Sequence, residues 1–199
     1  MMSDMNFRRS NADPCLYYKW TGRGLNTWIS WVDDLIAIVP REEVLENKEQ
    51  VKKYFECDDI GFLEEYVGCK VERNVNEGSV KFTQPVLLQS FEDEFTLPTL
   101  RYSIPAEAKQ VLQHGDEETY LSDEIQDRYR SGVGKLIHLM RWSRPEICNA
   151  VRELSRHNGK CNLRHYKALL RVMKYCVDTP NRGWQLKPTR SWDGKDKEF

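Results

Sequence analysis

The sequence predicts an α+β fold, with sheet in its first third and helices in its last third. Strand-forming residues dominate up to about residue 39. Three segments after residue 128 repeat apolar residues at helical spacing, and an acidic, proline-broken stretch separates the two regions. The 199 residues suffice for a sizeable core, and 40% apolar with 31% charged residues is the composition of a globular protein.

Residues 15–20, Cys-Leu-Tyr-Tyr-Lys-Trp, are strand formers, and Thr21-Gly-Arg-Gly24 supplies a turn. Residues 25–31 form a second expected strand and Leu35-Ile-Ala-Ile-Val39 a third. Between these two lies Val32-Asp33-Asp34. Charge is costly there unless it faces solvent at a turn or binds a cation. Pro40 opens a helix to about Tyr54, with Glu42 and Glu43 in its first turn and Lys52 and Lys53 near its end, matching the helix dipole.

Residues 66–72 read as a strand, 74–78 as a turn and 79–83 as the returning strand. Pro85 opens a helix to Phe95 with Leu88 and Phe91 on its stripe, and residues 96–127 read as a linker. Three helices follow. The first carries Val133, Leu136, Ile137 and Met140, and the second, opened by Pro145, carries Ile147, Ala150, Val151 and Leu154. The third, capped by Asn162, carries Tyr166, Leu170, Met173 and Val177 and stops at Thr179-Pro180-Asn181.

The net charge of −1 hides a division. Residues 92–127 hold ten Asp/Glu against Arg101 and Lys109, whereas residues 128–174 hold twelve Lys/Arg against Glu146 and Glu153. On charge alone, the basic block is either a footprint for a phosphate-rich partner or a set of solvated helix faces. The six cysteines form no CxxC pair, and the four histidines lie at no zinc-finger spacing, so reduced, structural thiols are expected. No apolar run approaches the roughly 20 residues of a membrane helix. The leader MMSDMNFRRSNADP has no signal-peptide core, so an intracellular chain, cytoplasmic or nuclear and without a membrane partner, is expected.

An Asp-Asp pair is a weak signal by itself, and Asp58-Asp59 reads as a solvated turn. Asp33-Asp34 differs because Trp28, Ile29 and Trp31 precede it and five apolar residues follow. Strand, Asp-Asp turn, strand is how nucleic-acid polymerases hold part of a two-magnesium site, with the ions about 4 Å apart.

The motifs then resemble one family. Arg9-Ser-Asn-Ala-Asp-Pro-Cys-Leu-Tyr17 followed by Trp31-Val-Asp-Asp-Leu35 resembles the "S-x-A-D-P-C-L-Y" and "YVDD" elements of copia-type retrotransposon reverse transcriptases. Tyr54-Phe-Glu-Cys-Asp-Asp-Ile-Gly61 with Glu65-Tyr-Val-Gly-Cys69, and Phe82-Thr-Gln84, resemble "F-x-M-x-D-L-G … F-L-G" and "L-S-Q". Tyr129-Arg-Ser-Gly-Val-Gly-Lys-Leu136, Arg144-Pro-Glu-Ile147 and Ala150-Val-Arg-Glu-Leu-Ser-Arg156 resemble "Y-R-S-L-V-G-x-L", "R-P-D-I" and "A-V-x-x-L-S-R". Together they cover nearly the whole chain.

The resemblance implies a partial polymerase palm over residues 1–84, a helix and acidic linker over 85–127, a helical thumb over 128–188 and a lead-in to an RNase H-like domain over 189–199. It implies that Asp33 and Asp34 are catalytic and bind Mg2+ in a two-metal site, Asp34 in a supporting role. Tyr66, Val67 and Gly68 become a primer grip. Arg141, Arg152, Arg156, Lys167 and Arg171 become contacts to an RNA or DNA template–primer, with deoxynucleoside triphosphates as substrates of the parent enzyme. Lys52 or Lys53 is a weaker candidate for a general acid on pyrophosphate, against simple dipole matching. Trp31 stands where the family has tyrosine, an expected change in packing at the primer end. The N-terminal palm and fingers, with the first catalytic aspartate, and the RNase H-like domain are expected outside this sequence, with Ser191-Trp-Asp-Gly194 resembling the lead-in to the latter. The isolated chain is therefore expected to be inactive in RNA-directed DNA synthesis. The alternatives are a non-catalytic nucleic-acid-binding remnant and an inert relic.

Overall fold

A computed structural model describes residues 1–107, 111–113 and 119–187. The described residues form an α+β chain with two four-stranded antiparallel sheets and five α-helices. They divide into two compact units, Met1–Leu63 and residues 64–187.

The first unit is a meander of β1 (Arg8–Arg9), β2 (Leu16–Thr21), β3 (Gly24–Trp31) and β4 (Asp34–Ile38) in that spatial order. The "S-x-A-D-P-C-L-Y" resemblance has a local cause, because Asp13 accepts the Cys15 N–H at 2.8 Å and Ser10 accepts the Ala12 N–H at 3.1 Å. These side chains fold the turn that brings β1 back onto β2. Alternation on β3 sends Asn26 and Trp28 to a buried face, where Phe7 packs edge-on to Trp28 at 6.4 Å and Val51 of α1 (Val44–Lys52) completes a small core.

Glu43, read from sequence as a dipole-matched first-turn acid, is instead buried. Its carboxylate accepts from Asn26 Nδ2 at 2.5 Å and Thr21 Oγ1 at 2.7 Å. These two hydrogen bonds, Asn26 first, hold its carboxyl below the ordinary glutamate range against the opposing pull of desolvation. The opposite face of the sheet, with Leu16, Tyr18, Ile29 and Ile36, stays half-exposed, and Trp31 is 53% exposed.

In the second unit, β5 (Glu65–Tyr66), β6 (Cys69–Asn74), β7 (Ser79–Thr83) and β8 (Trp184–Leu186) form the other meander. The single strand expected over residues 66–72 is thus a hairpin, since the chain reverses at Val67-Gly68. The helices are α2 (Pro85–Glu94), α3 (Asp123–Trp142), α4 (Cys148–Ser155) and α5 (Leu163–Asp178). Phe91, Tyr129, Val133, Leu136, Leu139, Ile147, Leu154, Leu169 and Met173 are buried in one core. Of the expected contacts, Met140 and Leu170 are half-buried and Ile137 is exposed, because α3 turns its 129/133/136 face inward.

Two further expectations are corrected. α3 begins at Asp123 rather than after residue 127, and the acidic stretch before it packs: Leu112 is buried, and Asp178 accepts the Tyr102 N–H at 3.2 Å. Nor is the region to residue 187 helical throughout, for Trp184–Leu186 pairs with β7. Gly183 makes that possible, since a Cβ there would lie 2.2 Å from the Phe82 carbonyl oxygen. The Ser191-Trp-Asp-Gly194 lead-in lies outside the described residues.

Asn162 caps α5 as expected, accepting from Arg164 and His165 N–H groups at 3.0 and 3.1 Å, while His165 Nδ1 accepts the Asn162 N–H in return. His165 stacks on His157 with ring centres 3.7 Å apart, and their Nε2 atoms lie 2.8 and 3.1 Å from the Gln113 and Leu112 carbonyls. All six cysteines are free. Burial pushes the thiols of Cys69, Cys161 and Cys176 upward, Cys176 to about 12, which makes them inert packing groups. Cys57 and Cys148 are exposed and fill no core position.

Candidate functional site

Asp33 and Asp34 stand at the end of the β3–β4 hairpin. Trp31 pairs with Asp34, so Val32 and Asp33 are the two loop residues, and both carboxylates are exposed. Val32 has φ 53°, a left-handed conformation that a β-branched side chain enters at a cost of about 1–3 kcal/mol. The flanking pairs Ile29–Ile36 and Ser30–Leu35 anchor the turn to the sheet. Asp34 projects on the same face as Trp31, since directly paired residues share a side. Two adjacent carboxylates supply the hard oxygen donors that magnesium takes. Among the described residues no group of three or more His, Cys, Asp or Glu side chains is placed to hold a metal ion. The donor chemistry therefore fits Mg2+, but the donor number does not fill a two-ion site.

Tyr66, Val67 and Gly68 belong to the second unit and form the β5–β6 turn, with Tyr66 paired to Cys69. Val67 at φ 51° and Gly68 at φ 72° give both loop residues the positive φ of a type I′ turn. Here too a valine occupies left-handed space. Tyr66 packs edge-on against Trp142 of α3, with ring centres 6.4 Å apart at 90°.

The five candidate phosphate contacts divide into two groups. Arg141, Arg152 and Lys167 are exposed with no ion pair among the described residues, and Arg141 lies 5.6 Å above the Trp142 ring. Arg156 is paired to Glu153 at 3.0 Å. Arg171 is drawn to Glu107 at 2.8 Å and stacks on Tyr102 at 4.6 Å, leaving its side chain 19% exposed. The acidic stretch thus neutralises part of the basic block that follows it. Lys52 and Lys53 are exposed at the end of α1.

Arg144, in the "R-P-D-I"-like segment, contributes nothing to the outer surface. Its side chain is 1% exposed, bonded to Glu146 Oε1 at 2.6 Å, the Thr179 carbonyl at 3.1 Å and Thr179 Oγ1 at 2.7 Å, and packed over Tyr175. It closes the end of α5 onto the α3–α4 junction. Tyr129 donates its hydroxyl proton to the Leu154 carbonyl at 2.8 Å, tying α3 to α4, and burial raises its phenol strongly. Sequence reasoning missed both roles, since neither buried residue breaks a pattern.

Proteins encoded by transposons are similar to this chain over nine-tenths of its length. The retrovirus-related Pol polyprotein from transposon TNT 1-94 of Nicotiana tabacum is 23% identical over 184 residues, covering 89% of this chain and 14% of that protein. A putative transposon Ty5-1 protein of Saccharomyces cerevisiae is 22% identical over 179 residues, covering 89% of this chain and 57% of that one. The Pol polyprotein from transposon RE1 of Arabidopsis thaliana is 26% identical over 185 residues, 92% of this chain and 12% of the polyprotein. The chain thus spans less than two thirds of each of these relatives. No protein-family model matches it, and no solved structure does. Among the described residues no helix is long and apolar enough to cross a membrane.

Proposed function

We propose that the chain is the palm–thumb portion of a retrotransposon reverse transcriptase, and that in isolation it binds template–primer without extending it. The observation that carries this is Asp33, exposed in a two-residue loop between apolar strands, with Asp34 opening the returning strand. Similarity to Pol polyproteins along the chain supports the reading.

In this role Asp33 and Asp34 would hold Mg2+, which activates the primer hydroxyl and stabilises the leaving pyrophosphate in the parent enzyme. The chain's own part is to fix the two carboxylates on a short turn braced by paired strands. The β5–β6 turn would contact the primer strand, and Arg141, Arg152 and Lys167 would supply phosphate contacts. Two carboxylates are too few for two doubly charged ions, and electrostatic stabilisation is commonly the largest catalytic contribution. Hence binding without turnover.

Primer extension with magnesium or manganese on the chain alone, beside Asp33→Ala, tests the second half of the proposal. No extension by either protein is expected. Extension that disappears in Asp33→Ala would overturn it. Absence of any template–primer binding at low salt would overturn the first half.

A further inference from the structure

We propose that the last turn of α3 completes the site begun at the Tyr66–Gly68 turn, with His138, Arg141 and Trp142 joining it to hold one sugar–phosphate of a nucleic-acid strand. This rests on the nucleic-acid reading above and adds three residues to it with a division of labour.

Residues 138, 141 and 142 are spaced i, i+3, i+4, so one face of α3 carries all three. That face meets the turn. The indole of Trp142 takes the edge of Tyr66, and a Cβ at Gly68 would lie 3.8 Å from His138 Nε2, so the imidazole stands over the turn. Arg141 lies over the Trp142 ring at 5.6 Å, while its side chain remains exposed. A guanidinium stacked on an indole keeps its in-plane N–H donors free to point outward.

Elsewhere in the unit some cations face carboxylates, as exposed Arg156 faces Glu153 and half-buried Lys135 faces Glu94, whereas Arg152 and Lys167 form no ion pair among the described residues. Among the described residues neither Arg141 nor His138 forms an ion pair. A cation, two aromatic rings and the exposed backbone of a tight turn therefore lie together. A sugar–phosphate has the matching parts: charged oxygens for Arg141 and His138, and an apolar sugar face for the rings. Trp142 is the positioning residue, holding Arg141 and Tyr66 at once.

The test is fluorescence anisotropy of the full chain with a labelled DNA primer–template, using Arg141→Ala, Trp142→Ala, their double variant, Trp142→Phe and His138→Ala. Arg152→Ala and Lys167→Ala serve as references. Arg141→Ala should weaken binding about five- to tenfold, the size of one exposed charge-assisted contact, and flatten the salt slope by about 0.9. Trp142→Ala should do the same, the double variant should be no weaker than either single one, and Trp142→Phe should bind within about twofold of the parent. A merely structural tryptophan would lower affinity without reproducing the slope change.

Should Trp142→Ala fail to fold, photo-crosslinking of the unaltered chain to a primer bearing 5-iododeoxyuridine decides. Crosslinks at Tyr66 or Trp142 are expected. If Arg152→Ala and Lys167→Ala weaken binding while Arg141→Ala and His138→Ala do not, or if crosslinks map only to α4 and α5, this inference falls and the nucleic-acid reading stands. If the unaltered chain binds nothing, both fall.

Discussion

Salt dependence gives the sharpest quantitative consequence of the ion pairs around the basic block. Of the five candidate cations, Arg141, Arg152 and Lys167 have no carboxylate partner among the described residues, whereas Arg156 and Arg171 face Glu153 and Glu107. A cation already neutralised in the free protein adds little to counterion release on binding. Three contacts give a slope of log affinity against log salt of about −0.9 × 3, or about −2.7, and five would give about −4.5. Between about 50 and about 200 mM salt, the smaller slope is an affinity loss of about 40-fold and the larger about 500-fold. Anisotropy titrations with one DNA primer–template across that range measure the difference. A slope near −4.5 would show that the Glu153 and Glu107 pairs open on binding, and a slope near zero would refute an electrostatic interface.

Three other predictions concern the framework. At Gly132 a Cβ would lie 2.8 Å from Leu169 Cδ2, 2.9 Å from Met173 Cε and 3.2 Å from Phe95 Cζ, whereas at Gly134 it meets nothing within 4 Å. Gly134→Ala should stabilise α3 by about 1 kcal/mol through helix propensity, while overpacking of about 1–3 kcal/mol cancels or reverses that gain in Gly132→Ala; hydrogen exchange of α3 amides reads both, and equal effects would refute the packing described. Because Glu43 is held below the ordinary range, its contribution is present above the unfolded value of 4.5 and is lost as pH falls through the lower folded value. Acid unfolding of the first unit should therefore be less steep in Glu43→Gln, and an unchanged profile would contradict the network with Asn26 and Thr21. Arg144→Met should destabilise the second unit by several kcal/mol, since Thr179 and Glu146 lose a buried partner, and a denaturation midpoint equal to the parent's would overturn that role.

Much of this architecture was legible in the residues, and what escaped was non-local. Asn162 announced its helix through capping chemistry, and residues 79–83 announced their strand through β-branched and aromatic side chains; both lie where expected. The turn at Val67-Gly68 was missed because valine at positive φ is the opposite of a turn signal. β8 was missed because three residues carry no periodicity, and its partner strand lies a hundred residues upstream. The hairpin placing Asp33 and Asp34 was readable from the apolar runs around them, whereas their neighbours were not. The pairing of Arg171 with Glu107, and the meeting of Tyr66 with Trp142, depend on how distant segments pack, about which local pattern is silent.

The position of β4 bears on which carboxylate of the pair should be replaced in a test. It is the last strand of its sheet, and among the described strands none pairs with its outer side. Its sequence, Asp-Leu-Ile-Ala-Ile, carries a single charge, at Asp34. An acidic gatekeeper on an apolar edge discourages edge-to-edge self-assembly. Neutralising Asp34 would remove that guard together with a carboxylate, and insoluble protein would then pass for lost metal or template–primer binding. Asp33 sits in the loop, outside the strand, so its replacement removes a carboxylate and leaves the edge guarded.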